Sequence, residues 1–193
     1  MPGEILVRPI TASRFRDVEQ LFLTDSIMRG CWDIWPRYDT RERRALQAKL
    51  APRATRGGRR RAPGLLAYLD SQPVGFLSLG PRTEMHRIDR SRTSPRVDDV
   101  PVWVVPCFFV HNKYRGRGIT VALLQAAVEY AGKHGAPAIE GYPRAPGARV
   151  DDSTAFFGSV AQFRRAGYRV VARPRRDLPK GWVRRYTMRA ECS

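Results

Sequence analysis

The chain reads as one mixed α/β domain. Its 193 residues slightly exceed the roughly 150 of a typical domain, so one core with one insertion accounts for the length. Hydrophobic residues make up 42%, aromatic residues 10% and charged residues 27%, which supports a buried core and excludes wholesale disorder. Strand-like runs and helically spaced runs follow the order β-α-α-β-β-β-α-β-α-β-β, alternating mainly in the second half, as in a mixed sheet that carries helices.

Ile5 to Arg8 is a short β-type run ending at Pro9. Thr11 or Ser13 can cap the following helix, in which Phe15, Val18, Leu21 and Phe22 share one face and Gly30 is the expected break. The aromatic stretch from Cys31 to Pro36 leads to Thr40, which opens an Arg-rich helix to about Leu50. Residues 51–63 are rich in Arg, Gly and Pro and read as a mobile loop. Leu65 to Leu69 and Val74 to Leu79 form a hairpin around Asp70-Ser71-Gln72-Pro73. Gly80 to Asp99 is polar and without period, so it reads as a long loop, with Arg82, Glu84, His86 and Arg87 unranked among themselves.

Val100 to Val110 is uninterruptedly apolar, which suits a central strand covered on both faces. Pro106 lies inside it. A proline donates nothing to a ladder, so the strand should bulge or part from a neighbour there. A helix from Gly118 to His134 presents Val121, Leu124, Val128 and Ala131 on one side and stops at Gly135. Ala138 to Tyr142 is a further strand. Asp152-Ser153 should cap a helix carrying Phe156, Phe157, Val160 and Phe163 that ends at Ala166-Gly167, and Tyr168 to Ala172 and Trp182 to Met188 close the order as strands.

The longest apolar run is far short of the roughly 20 residues of a membrane helix, and Met1 to Pro9 lacks a basic, apolar signal segment. The expected location is cytoplasmic, without membrane partners. Cys31, Cys107 and Cys192 are odd in number and widely spaced, so neither disulfides nor a metal site is expected. Thirty-five Lys and Arg against 18 Asp and Glu give a net charge of +17, which calls for an anionic partner. The bases are almost all Arg and spread along the chain. They read either as a solvated surface or as a non-specific nucleic-acid surface.

The segment from Phe108 to Thr120 runs from a strand through a Gly-containing turn into a helix. Unpaired amides and the dipole at a helix start favour an anion, Gly116 and Gly118 permit close approach, and Arg115 and Arg117 add charge. The spacing fits neither the phosphate loop of nucleoside triphosphatases nor the Rossmann glycine pattern. With its surroundings it resembles the coenzyme A site of the GNAT superfamily of acyl-CoA-dependent N-acyltransferases, whose signature is Arg/Gln-x-x-Gly-x-Gly/Ala. Arg115, Gly118 and Thr120 fall on its fixed positions, with Thr120 departing at the last. Element order extends the resemblance over nearly the whole chain, including Gly167-Tyr168 where the family has a Gly-aromatic pair.

The resemblance implies a mainly antiparallel sheet flanked by helices on both faces, with splayed central strands. It implies acetyl-CoA as acyl donor, bound by Phe108, Phe109 and Val110 along its pantetheine arm and by Arg115, Gly116, Arg117, Gly118, Ile119 and Thr120 at its diphosphate. It also places a general-acid tyrosine where this chain has Phe163. Glu140 in its apolar strand is then the candidate base or, alternatively, a carboxylate salt-bridged to an arginine. Tyr142, two residues on, is the candidate acid or a core tyrosine. His111 reads as a turn residue or a base, and Asp151 and Asp152 as helix caps or as groups that bind an acceptor amine. Trp32, Asp33 and Trp35 either cover the acceptor pocket, with Asp33 orienting a cationic amine, or pack as a lid edge.

The expected activity is N-acetyl transfer to a primary amine, of a small molecule in the first reading, through a ternary complex. The alternatives are a protein lysine or N-terminal acetyltransferase and a non-catalytic basic module that contacts nucleic acid. The expected state is monomer or homodimer.

Overall fold

Strand β1 (Ile5–Pro9) leads through a single 3-10 turn into helix α1 (Phe15–Phe22), and α2 (Ser26–Cys31) follows after a short break. The computed structural model describes residues 3–31, 35–37, 61–147 and 155–192. The expected helix from Thr40 to Leu50, most of the expected loop 51–63, and Asp151, Asp152 and Ser153 lie outside the described residues. Gly30 does not break the first helix. It sits inside α2, and the break falls at Leu23 to Asp25, where the Asp25 carboxylate accepts from the Ile27 and Met28 amides and starts α2. Thr11 caps nothing, because its hydroxyl bonds to Ser13 instead.

β2 (Gly64–Leu69) and β3 (Gln72–Ser78) pair antiparallel around Asp70 and Ser71, whose φ values of 49° and 64° are those of a two-residue primed turn. Alternate residues of β2 serve opposite faces. Leu65, Ala67 and Leu69 pack towards the long helix α4 (Ile119–Lys133), whereas Leu66 packs with Val18, Leu21 and Phe22 of α1. Helices therefore cover both faces of this sheet, as expected. The buried stripe of α4 is Ile119, Leu123, Leu124, Ala127 and Ala131, so Val121 and Val128 stand at its margin.

The segment expected as a loop from Gly80 to Asp99 is partly ordered structure: β4 (Gly80–Pro81), a 3-10 turn and the short helix α3 (His86–Asp89). Its lack of apolar period concealed it, because Met85 and Ile88 are the residues it buries. The single strand expected over Val100 to Val110 is two strands, β5 (Trp103–Val105) and β6 (Phe108–Val110). They belong to different sheets. β6 closes the order β1-β2-β3-β6, while β5 lies in the order β4-β5-β7-β9-β8 with β7 (Ala138–Gly141), β8 (Arg169–Ala172) and β9 (Thr187–Glu191). Among the described strands only β5 and β7 run parallel, so the sheets are mainly antiparallel and part at Pro106.

The late helix α5 (Val160–Arg165) is capped by Ser159, not by the expected Asp152-Ser153. Ser159 Oγ accepts from the Gln162 amide and Gln162 Oε1 accepts from the Ser159 amide, a reciprocal box. The final strand begins at Thr187, not Trp182, whose side chain is exposed. No helix among the described residues is long and apolar enough to cross a membrane.

Candidate active site

Among the described residues β6 is bonded along one edge, to β3. The His111 amide donates to the Val74 carbonyl (3.0 Å) and the Cys107 carbonyl accepts from Ser78 (3.0 Å). By strand alternation the backbone groups of Phe108 and Val110 then point the other way, towards the split. A strand edge of this kind accepts an extended, amide-bearing chain. At its end, Arg115 Nε donates to the Val110 carbonyl (3.2 Å) and holds the guanidinium against the strand.

The turn after β6 is shaped by His111, whose Nδ1 accepts from the Lys113 amide (3.2 Å). This gives His111 the turn role. Gly116 and Gly118 have φ of +79° and +83°, and a Cβ at either would meet nothing within 4 Å, so the space over them is open. The first helical bond runs from Ala122 N to Gly118 O (3.1 Å), which leaves the amides of Ile119, Thr120 and Val121 without helical partners. An anion set over them gains both donors and the dipole.

Strand edge and turn line one cleft of about 380 Å3. Of the residues expected to hold the donor, Phe108, Phe109, Val110, Arg115, Gly116, Gly118, Ile119 and Thr120 line it. Arg117 does not; its guanidinium lies 5.6 Å from the centre of the Tyr114 ring. The opposite wall, which sequence reasoning missed, comprises Arg144, Phe156, Gly158, Gln162 and Arg165. The Ser159-x-x-Gln162 spacing of a capping box was the available signal for that wall. Gly158 has φ +69°, and a Cβ there would overlap the Phe108 ring, so glycine sets the closeness of the two walls.

A second pocket, of about 720 Å3, shares Phe156 with the first. Its walls are Met28 and Cys31 from α2, Trp35, Cys107 from the split, Phe157, Trp182 and Arg185. Trp35 thus reaches the pocket expected for the acceptor, with its ring 6.0 Å from that of Phe157. Trp32 and Asp33 lie outside the described residues. No acidic side chain lines either hollow among the described residues. Nor does any group of three or more potential metal ligands occur among them.

Glu140 and Tyr142 line neither hollow. Glu140 makes the salt bridge that was the alternative reading of it, and Tyr142 is buried beside it. Glu140, 1% exposed, accepts at Oε1 from Arg189 Nε (3.0 Å) and Nη2 (2.6 Å). Its Oε2 accepts from the Tyr142 hydroxyl (3.0 Å), with Arg82 Nη1 at 3.7 Å. Tyr142 in turn accepts from Arg82 Nη1 (2.7 Å), and its phenol is held well above the usual range, first by burial and then by the Glu140 charge. Arg82 completes its set with Asp89 and the carbonyls of Ile88 and Ser94, and Arg189 with Asp98. Phe163 is 1% exposed against Phe108 and Tyr168 and carries no proton to give.

Residues 22–146, more than half of the chain, match the model of the acetyltransferase (GNAT) family. No curated protein sequence matches the chain. Among solved structures it is similar to histone acetyltransferase HPA2 and related acetyltransferase from Corynebacterium glutamicum (16% identity, TM-score 0.54, covering 100% of this chain and 98% of that one). It is similar to Arabidopsis thaliana NAA60, solved with acetyl-CoA (20% identity, TM-score 0.53, 97% and 99% covered). A third is Ard1 from Thermoplasma volcanium (16% identity, TM-score 0.52, 98% of each chain covered). At these identities the likeness establishes the fold, and the family match supplies the rest: this acyltransferase, with its two sheets parting at Pro106, belongs to the GNAT acetyltransferases.

Proposed function

We propose that the protein transfers an acetyl group from acetyl-CoA to a primary amine of a small molecule, by direct attack within a ternary complex. The observation that carries this reading is that two hollows meet at Phe156, one along the free edge of β6 and one behind Cys107. In the first, the diphosphate sits on the amides of the Gly116–Val121 turn and the pantetheine arm runs beside Phe108 and Val110. The thioester then reaches the split, where the second hollow presents the amine.

The amine nitrogen attacks the thioester carbonyl carbon, the oxyanion collapses, and the carbon–sulfur bond breaks. Outward-facing amides of β6 are placed to donate to the oxyanion. The nitrogen must lose a proton and the thiolate must gain one. With Phe163 unable to donate and Glu140 and Tyr142 engaged with Arg82 and Arg189, the amine enters neutral and water carries the proton.

A thiol-release assay with acetyl-CoA over a panel of small amines, with the product identified by mass, tests this. Acetylated small amine is the expected product. Failure to bind acetyl-CoA by calorimetry, or acetylation of peptide termini or lysines with no small amine used, would overturn it.

A further inference from the structure

Arg185 lines the second pocket, yet its Nε is buried and makes no hydrogen bond. Its guanidinium lies flat against Phe157, with Cζ 3.4 Å from the ring centre. The buried arginines of the neighbouring network are different: Arg82 and Arg189 each hold carboxylates and fill their donor forks. No carboxylate pairs with Arg185 among the described residues.

Arg144 sharpens the contrast. It faces Arg185 across an antiparallel backbone bridge, so both side chains leave the same side of the ladder. Its Nε is also buried without a hydrogen bond, and it lines the adjoining cleft. Like charges directly opposite one another are unfavourable, and a buried cation without a counter-ion is costly. Burial alone brings Arg185 down to about 10, a cost that a bound anion would reverse. The rest of the pocket is apolar and aromatic, with Trp35, Phe156, Phe157 and Trp182.

We infer that the acceptor is an apolar or aromatic amine that also bears a carboxylate, and that Arg185 holds this carboxylate while Arg144 adds positive charge from the cleft side. The inference rests on the acetyl-transfer reading above. A planar guanidinium fork matches a carboxylate in two-point geometry, and the aromatic walls take the apolar substituent. A polyamine is a poor match, because its second cation would meet Arg185.

The test compares free amino acids (phenylalanine, tryptophan, leucine, methionine) with their decarboxylated amines and with the matching aminophosphonates, using acetyl-CoA and thiol release. The amino acids should be preferred in kcat/KM by roughly a hundredfold over the decarboxylated amines. Arg185→Ala should collapse that preference to within about threefold, chiefly through KM, and Arg185→Lys should restore part of it. Calorimetry with acetyl-CoA shows whether each variant is folded. If decarboxylated amines are acetylated as well as or better than the acids, or if Arg185→Ala binds acetyl-CoA but keeps the full preference, the inference fails and the acetyl-transfer reading stands. Preference for the aminophosphonate overturns the carboxylate assignment. If no amine of any kind is acetylated, the transfer reading fails and this inference falls with it.

Discussion

Replacing Glu140 by Gln distinguishes a carboxylate that reacts from one that holds charges in place. The substitution keeps the shape and removes the negative charge from a site that is 1% exposed and touches two guanidinium groups. Breaking a buried pair costs about 3–5 kcal/mol. Arg189 keeps Asp98 at 2.7 and 2.9 Å, and Arg82 keeps Asp89 at 3.0 Å, so neither cation is stranded and the lower end, ~3 kcal/mol, applies. In a chain of 193 residues this is a fall of roughly 6–12 °C in Tm. Thermal and urea unfolding read the loss, and turnover is then measured well below the transition. The expected result is a large stability loss with both limbs of the pH–rate profile retained. A kcat lowered by ~10² to 10⁴ with unchanged Tm would refute the reasoning and make Glu140 the base after all.

Gly118→Val places a branched side chain at φ +83° and over the open amides, so coenzyme A affinity should fall at least tenfold, about 1.4 kcal/mol; unchanged calorimetric affinity would reject the turn as the diphosphate site. Asp98 answers to pH, because the hydrogen bonds from Arg189 hold its carboxyl below its ordinary value of 3.8. A carboxyl lowered on folding adds stability above that value and loses it as pH falls through the folded one, so Asp98→Asn should flatten the acid limb of stability below about pH 4; an acid limb identical to the parent's would contradict the linkage.

The fold was legible wherever one residue decides between alternatives. Pro106 cannot join a ladder, and the sheets part there; Asp70-Ser71 accepts the left-handed turn, and the hairpin follows. The cleft along β6 was legible for a similar reason, since its strand edge, glycines and helix start are consecutive in sequence. What stayed hidden depends on long-range pairing. Glu140 reads as a buried acid from its apolar strand, but its partner Arg189 is 49 positions away in a chain with many interchangeable arginines. Only the register of β7 on β9, which sets Glu140 opposite Arg189, selects that one. Arg144 and Arg185 likewise become a pair through a single backbone bridge that no local pattern announces. Short α3 escaped because one turn of helix shows no period.

The net charge of +17 has a local expression. Among the described residues several acids are held in ion pairs: Asp89 with Arg82 and Arg96, Asp98 and Glu140 with Arg189, Glu84 with Arg61, Asp177 with Arg175 and Glu191 with Arg169. Arg115, Arg144 and Arg165 instead line the cleft along β6, where no described carboxylate faces them. Low-dielectric walls of one sign concentrate counter-ions, so this cleft attracts a phosphate-rich ligand before any specific contact forms. A coenzyme with a diphosphate and a further phosphate ester satisfies that field directly. A nucleic acid held by the same three arginines would compete with an acyl donor for the cleft, so salt-sensitive competition between the two separates the partners.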